Sequence, residues 1–132
     1  MLELSTCPCA GNTLDRLVQP AILVVLAAGP LHGYRVAEKI SERLSLGDQK
    51  PDMSGVYRFL KVMEEKGLVA SSWDLSHGGP ARRCYEITAD GERCLSQWIE
   101  TLERHRKGIN DLLRAARTAV RKRADAQSCP QS

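Results

Sequence analysis

The sequence predicts a mainly α chain of the α+β class: a winged helix-turn-helix followed by one long C-terminal dimerisation helix. Three observations carry this expectation. Three short segments repeat apolar residues with a helical period. Two strand-like segments, Val69–Trp73 and Arg83–Ile87, flank a loop containing Gly78, Gly79 and Pro80. A single apolar stripe then runs along the otherwise polar stretch toward the C-terminus.

The first helix is expected over Leu17–Ala28, regular from about Gln19 because Pro20 is welcome only in a first turn. Gly29-Pro30 ends it. A second spans Gly33–Leu44, with Val36, Ile40 and Leu44 on one face. A third spans Met53–Lys66, with Asp52 as N-cap and Gly67 as stop. Val56, Phe59, Leu60 and Met63 face inward there, and Ser54, Arg58 and Lys61 face outward, with Tyr57 at the edge. After the strand pair, Thr88 is a second N-cap, and Asp90 and Glu92 suit the positive end of a helix. That helix is expected over Ala89–Arg123, loosened at Gly108. Its stripe is Leu95, Trp98, Ile99, Leu102, Ile109, Leu112, Leu113 and Ala116. The domain reading is a flexible tail over 1–13, a winged unit over 14–88, a dimerisation helix over 89–123 and a disordered tail over 124–132.

Composition excludes several classes. Of 132 residues, 42% are apolar and 27% charged, an ordinary globular balance. Met1–Gly11 has neither the basic start nor the apolar run of a signal peptide. The apolar run Ala21–Ala28 is too short to span a bilayer. Five cysteines, an odd number, show no regular disulfide spacing, so a cytoplasmic chain with reduced thiols and no membrane contact is expected. Cys84 and Cys94 read as small apolar core residues. The net charge of +3 is weak, but cations gather at Arg82 and Arg83 and again over Arg104–Arg123.

The element order places the third helix to enter a DNA major groove and the hairpin to reach the neighbouring backbone. Ser54, Gly55, Tyr57, Arg58 and Lys61 on that helix are the candidate base and phosphate contacts, with Tyr34, and with His77, Arg82 and Arg83 in the wing. Each has a plainer reading. Tyr57 could pack against the domain, Arg58 and Lys61 could be a solvated face, and His77 could be a polar loop residue. His32 reads as a helix-start residue. No phosphate-cradling loop, metal spacing or base–nucleophile pair stands out, so no catalysis and no cofactor is expected.

At these residues the sequence resembles the PadR family of bacterial transcription regulators. The resemblance rests on Ala28-Gly29-Pro30-Leu31-His32-Gly33-Tyr34, Gly55-Val56-Tyr57-Arg58-Phe59-Leu60 and Glu64-Glu65-Lys66-Gly67-Leu68-Val69. It continues through Gly79-Pro80-Ala81-Arg82-Arg83-Cys84-Tyr85 and Ile87-Thr88-Ala89-Asp90-Gly91. It covers roughly Leu17–Leu102 and looks like the family's short branch, with a single C-terminal helix. It implies a repressor-like dimer on double-stranded operator DNA. Tyr57 falls on the family's recognition-helix tyrosine and Arg82 and Arg83 on its basic wing.

The far stripe of a helix of about 30 residues, on the order of 45 Å long, needs a partner. A homodimer through Leu17, Leu95, Trp98, Ile99, Leu102, Ile109, Leu112 and Leu113 is therefore expected, on a palindromic operator. The favoured reading is a repressor released by a small-molecule effector at that interface. Two others stay open. One is a thiol- or metal-sensing winged-helix repressor of the ArsR type using Cys7 and Cys9, which flank Pro8 outside the family pattern. The other is a protein-interaction adaptor that keeps the winged fold without binding DNA.

Overall fold

The computed structural model describes residues 17–43, 53–76 and 78–128. The chain divides into two units, residues 1–96 and 97–132. The element order is α1 (Val18–Ala27), β1 (Leu31–His32), α2 (Gly33–Arg43), α3 (Met53–Glu65), β2 (Val69–Asp74), β3 (Arg82–Ile87) and α4 (Ala89–Ser128).

In the first unit α1 is the central element. Val18, Pro20, Ala21, Ile22, Leu23, Val25 and Leu26 are all buried, which is the signature of a helix enclosed on most sides rather than one with a solvated face. Pro20 sits in its first turn, where its missing N–H has no helical partner to lose. Val36, Ala37 and Ile40 of α2 and Val56, Leu60 and Met63 of α3 complete the core with Val69 and Tyr85 of the sheet. Ile22 and Leu23 are fully enclosed, so truncating either to alanine costs about 2–5 kcal/mol.

α3 ends in a Schellman motif. Leu68 N–H donates to the Met63 carbonyl at 2.9 Å and Gly67 N–H to that of Glu64 at 3.0 Å. Gly67 sits at φ 77°, left-handed backbone that only glycine adopts without strain. The α4 cap uses the same corner. Thr88 Oγ1 accepts from Gly91 N–H at 3.0 Å and donates to the Gly67 carbonyl at 2.6 Å.

The sheet is antiparallel in the order β1-β3-β2. β2 and β3 pair along their whole length, from Val69 opposite Ile87 to Asp74 opposite Arg82. β1 was not expected. Its two residues pair as Leu31 opposite Tyr85 and His32 opposite Cys84, and a segment so short shows no period in sequence.

The helix and strand bounds otherwise shift by a residue or two. The larger difference is at the end of the chain. α4 is 40 residues long, continuous through Gly108, and it extends to Ser128. Residues 124–128, expected in a disordered tail, are therefore its last turn and more. Alanines 115, 116, 119 and 124 and a run of arginines and lysine supply the helix propensity there. Within the second unit Ile109, Leu112, Leu113 and Val120 are exposed. No helix among the described residues is long and apolar enough to cross a membrane.

Candidate nucleic-acid interface

α3 presents one face to the core and the other to solvent. Ser54, Arg58 and Lys61 are exposed and Gly55 half-buried. Tyr57 is 41% exposed. Its ring lies against Gly33 at the start of α2, so closely that a methyl group at position 33 would overlap Cε1, Cζ and Oη. Packing and exposure are therefore not alternatives for this residue. The phenol end of the ring lies against the start of α2, while 41% of the residue is exposed.

The wing root approaches from the other side. Arg82 Nη1 donates to Tyr34 Oη at 3.2 Å, and its guanidinium carbon lies 5.6 Å from the Tyr34 ring centroid. A tyrosine hydroxyl engages only one of the five guanidinium donors, and among the described residues Arg82 makes no other side-chain hydrogen bond. Tyr34 stacks on His32, with the rings 5° from parallel and 5.8 Å apart. His32 Nε2 lies 2.9 Å from Asp74 Oδ2. Asp74 Oδ1 in turn accepts from Ser76 N–H at 3.0 Å and from its hydroxyl. So the two ends of the hairpin loop, Asp74 and Arg82, are both tied to the short segment His32–Tyr34. His32 is thus a structural link across the sheet rather than only a helix-start residue. Its partner is 42 residues away, which no local pattern announces.

Arg83 differs from its neighbour. Its Nε donates to Ser71 Oγ at 3.0 Å and its Nη2 to Glu64 Oε1 at 3.3 Å. Ser71 closes the triangle by donating to Glu64 Oε2 at 2.6 Å. The guanidinium also covers the exposed Trp73 ring at 5.5 Å. Arg83 therefore braces the end of α3 against β2 and β3, although its side chain stays 47% exposed beside Arg82. Sequence reasoning treated the two as equivalent. The signal that separates them is strand alternation: adjacent residues on β3 point to opposite faces of the sheet, and only one face carries Glu64.

These parts surround one open groove of about 550 Å³, lined by His32, Gly33, Tyr34, Tyr57, Arg82 and Arg83 with Ala81. It offers phenolic hydroxyls and a guanidinium, donors suited to phosphate and base edges. Cys84 and Cys94 are half-buried free thiols rather than core residues. Burial pushes the Cys84 thiol above its ordinary pKa, and Asp74 and Glu86 add to that. Burial likewise raises the Tyr85 hydroxyl, with Arg83 opposing and Glu64 and Tyr57 adding. Among the described residues no group of three or more His, Cys, Asp or Glu could hold a metal ion. His77, Cys7 and Cys9 lie outside the described residues.

Three helices, a three-stranded sheet and an extended hairpin define a winged helix-turn-helix protein. The model of the "Transcriptional regulator PadR-like family" matches residues 22–97, and the chain belongs to that family. It is 32% identical over 94 residues to "Probable transcriptional regulator Rv1176c" of Mycobacterium tuberculosis, covering 70% of this chain and 49% of that protein. The chain thus spans about half the length of this curated relative. A PadR family transcription regulator from Clostridium difficile aligns with TM-score 0.63 at 26% identity, over 74% of this chain and 98% of the other. Bacillus subtilis PadR, solved in complex with operator DNA, aligns with TM-score 0.57 at 25% identity, over 64% and 47%.

Proposed function

We propose that this PadR-family chain is a sequence-specific DNA-binding transcriptional regulator that acts as a homodimer on a palindromic operator. The observation that carries the reading is the row Ser54, Tyr57, Arg58 and Lys61, exposed on α3, with Tyr57 and the exposed Arg82 lining one groove. α3 then enters the major groove, where Tyr57 and Arg58 meet base edges and Lys61 a phosphate. Arg82, steered by Tyr34, takes the neighbouring backbone. Structural likeness to a regulator solved on operator DNA supports the same placement. The adaptor reading has no comparable observation in its favour.

Dimerisation is supported within the second unit. Ile109 is 63% exposed, Leu112 70% and Val120 71%, along one face of a helix. Such a stripe is costly in water and is covered at no new cost by the same stripe of a second copy. Repression, with release by a small molecule at the dimer interface, is the regulatory form we favour; it rests on the family. Action on chromosomal DNA places the protein in the cytoplasm.

The deciding experiment measures affinity for DNA from the chain's own promoter region against a scrambled duplex at physiological salt. Discrimination on the order of 10³-fold or more is expected. Equal affinities overturn the specific-regulator reading.

A further inference from the structure

The positive charge of this protein is not where its recognition helix is. Residues 1–96 carry eleven Lys and Arg against twelve Asp and Glu, a net −1, and residues 97–132 carry eight against four, a net +4. The surplus is concentrated further. From Arg104 to Arg123 there are eight cations and one carboxylate, Asp111.

Within α4 these cations are ordered. At 100° per residue, Lys107, Arg114, Arg117 and Arg121 fall within an arc of about 80°, over about 21 Å of helix. Ile109, Leu112, Leu113, Ala116 and Val120 occupy a separate arc of about 100°, whose centre lies about 130° around the helix from that of the cations. All four cations are exposed. Earlier in α4 the arginines have neighbours: Arg93 pairs with Asp90, and Arg106 with Glu103 at 2.5 Å. Among the described residues, no ion pair involves Lys107, Arg114, Arg117 or Arg121. Arg114 and Arg117 are three apart and Arg117 and Arg121 four apart, spacings at which like charges destabilise a helix. Asp111, four residues after Lys107 and three before Arg114, and Asp125, four after Arg121, place a carboxylate on either side of the arginines. Between them Arg114, Arg117 and Arg121 hold like charges together at a cost that an external polyanion would relieve.

We propose that this face of α4 is a second phosphate-binding surface, which holds double-stranded DNA by its backbone without reading sequence. The inference rests on the reading that the protein acts on DNA. The four side chains stand roughly 5–11 Å apart along the axis, within reach of successive phosphates along a strand for stems as long as those of Lys and Arg. A second copy on the apolar stripe would leave most of this face open, since the two arcs do not overlap. An anionic membrane is the competing partner for a basic amphipathic helix. The composition disfavours it, because beyond Leu113 the stripe offers only alanines and Val120 to insert.

The test uses the full chain with Lys107→Gln, Arg114→Gln, Arg117→Gln and Arg121→Gln together. Glutamine keeps the helix propensity, and the apolar stripe is untouched. Sedimentation and circular dichroism confirm unchanged assembly and helicity. Affinity for a long non-operator duplex is then measured across salt concentrations. Each phosphate contact adds about 0.9 to the slope of log K against log salt, so the slope should fall by about 3–4 per copy. Operator-over-scrambled discrimination should stay as in the parent. An unchanged slope overturns the proposal. So does loss of binding to phosphatidylserine vesicles with DNA binding intact, which assigns the face to a membrane. A parent that does not discriminate operator from scrambled DNA, yet shows the slope change, sinks the specific-regulator reading and keeps this one.

Discussion

Replacing Gly33 by alanine separates recognition from folding at one atom. The new Cβ would stand 2.9 Å from both Cζ and Oη of Tyr57, and nearer still to Cε1. No real side chain tolerates that, so the ring must swing away. It can, because Tyr57 is 41% exposed and is the free end of a side chain. Losing roughly a third of a buried aromatic's 150–250 Å² costs about 1.5 kcal/mol. Alanine in place of glycine in a helix returns up to about 1 kcal/mol. The net loss of stability is therefore about 0.5–1.5 kcal/mol, a fall in Tm of roughly 2–10 °C. DNA affinity should respond far more, because the displaced hydroxyl leaves the groove. One lost base contact is worth about 1–3 kcal/mol, or about 5- to 150-fold. Gly91→Ala is the control. Its Cβ would meet the Leu68 carbonyl oxygen, main chain that cannot swing aside, and Cγ1 of the half-buried Ile87. It should lower Tm more than Gly33→Ala and leave the folded fraction binding DNA normally. Thermal melts and operator titrations on both variants decide. If Gly33→Ala binds like the parent, Tyr57 packs and does not read DNA.

Other outcomes follow from the same contacts. Arg82→Ala should lower the salt slope of DNA binding by about 1, whereas Arg83→Ala should leave the slope intact and reduce stability, read by titration and melting. Thr88→Ala removes the cap that serves Gly91 N–H and the Gly67 carbonyl, costing about 0.5–2 kcal/mol in denaturant unfolding. Leu112→Asp with Leu113→Asp should give monomers by sedimentation, with weakened operator binding; a fully active monomer contradicts the dimer. Cys84 and Tyr85 both hold their protons more tightly folded than unfolded. Their contribution is therefore full below the unfolded pKa values and lost as pH rises beyond about 9. Tm should be level from pH 7 to about 8.5 and fall above that, less steeply in Cys84→Ala.

What the sequence disclosed and what it withheld divide along a physical line. Helices and strands announce themselves through periods of a few residues, and caps through one residue beside its own helix. Hence α1 to α4, the hairpin, the Gly67 stop and the Thr88 cap were all legible. The links that aim the groove are of another kind. His32 to Asp74 spans 42 residues, Arg82 to Tyr34 spans 48, and Arg83 to Glu64 spans 19. Each joins polar side chains that would look solvated in isolation, so only three-dimensional placement reveals them. The consequence bears on function. Residue type alone made Arg82 and Arg83 one basic patch, yet Arg82 meets Tyr34 whereas Arg83, itself 47% exposed, is tied to Glu64 of α3 and Ser71 of β2. Arg83 thereby links the angle between α3 and the wing to Glu64, a residue the groove itself never uses. A change at Glu64 should therefore alter how α3 and Arg82 engage one duplex together, with no contact of its own to lose. Glu64→Gln tests that argument. It keeps a hydrogen-bond acceptor for Arg83 and removes the charge, so it should weaken operator binding less than Glu64→Ala. The salt slope should stay unchanged in both, because no phosphate partner has been removed. A slope that falls with Glu64→Ala would mean that Arg83 reaches the backbone after all and that the brace is not its role.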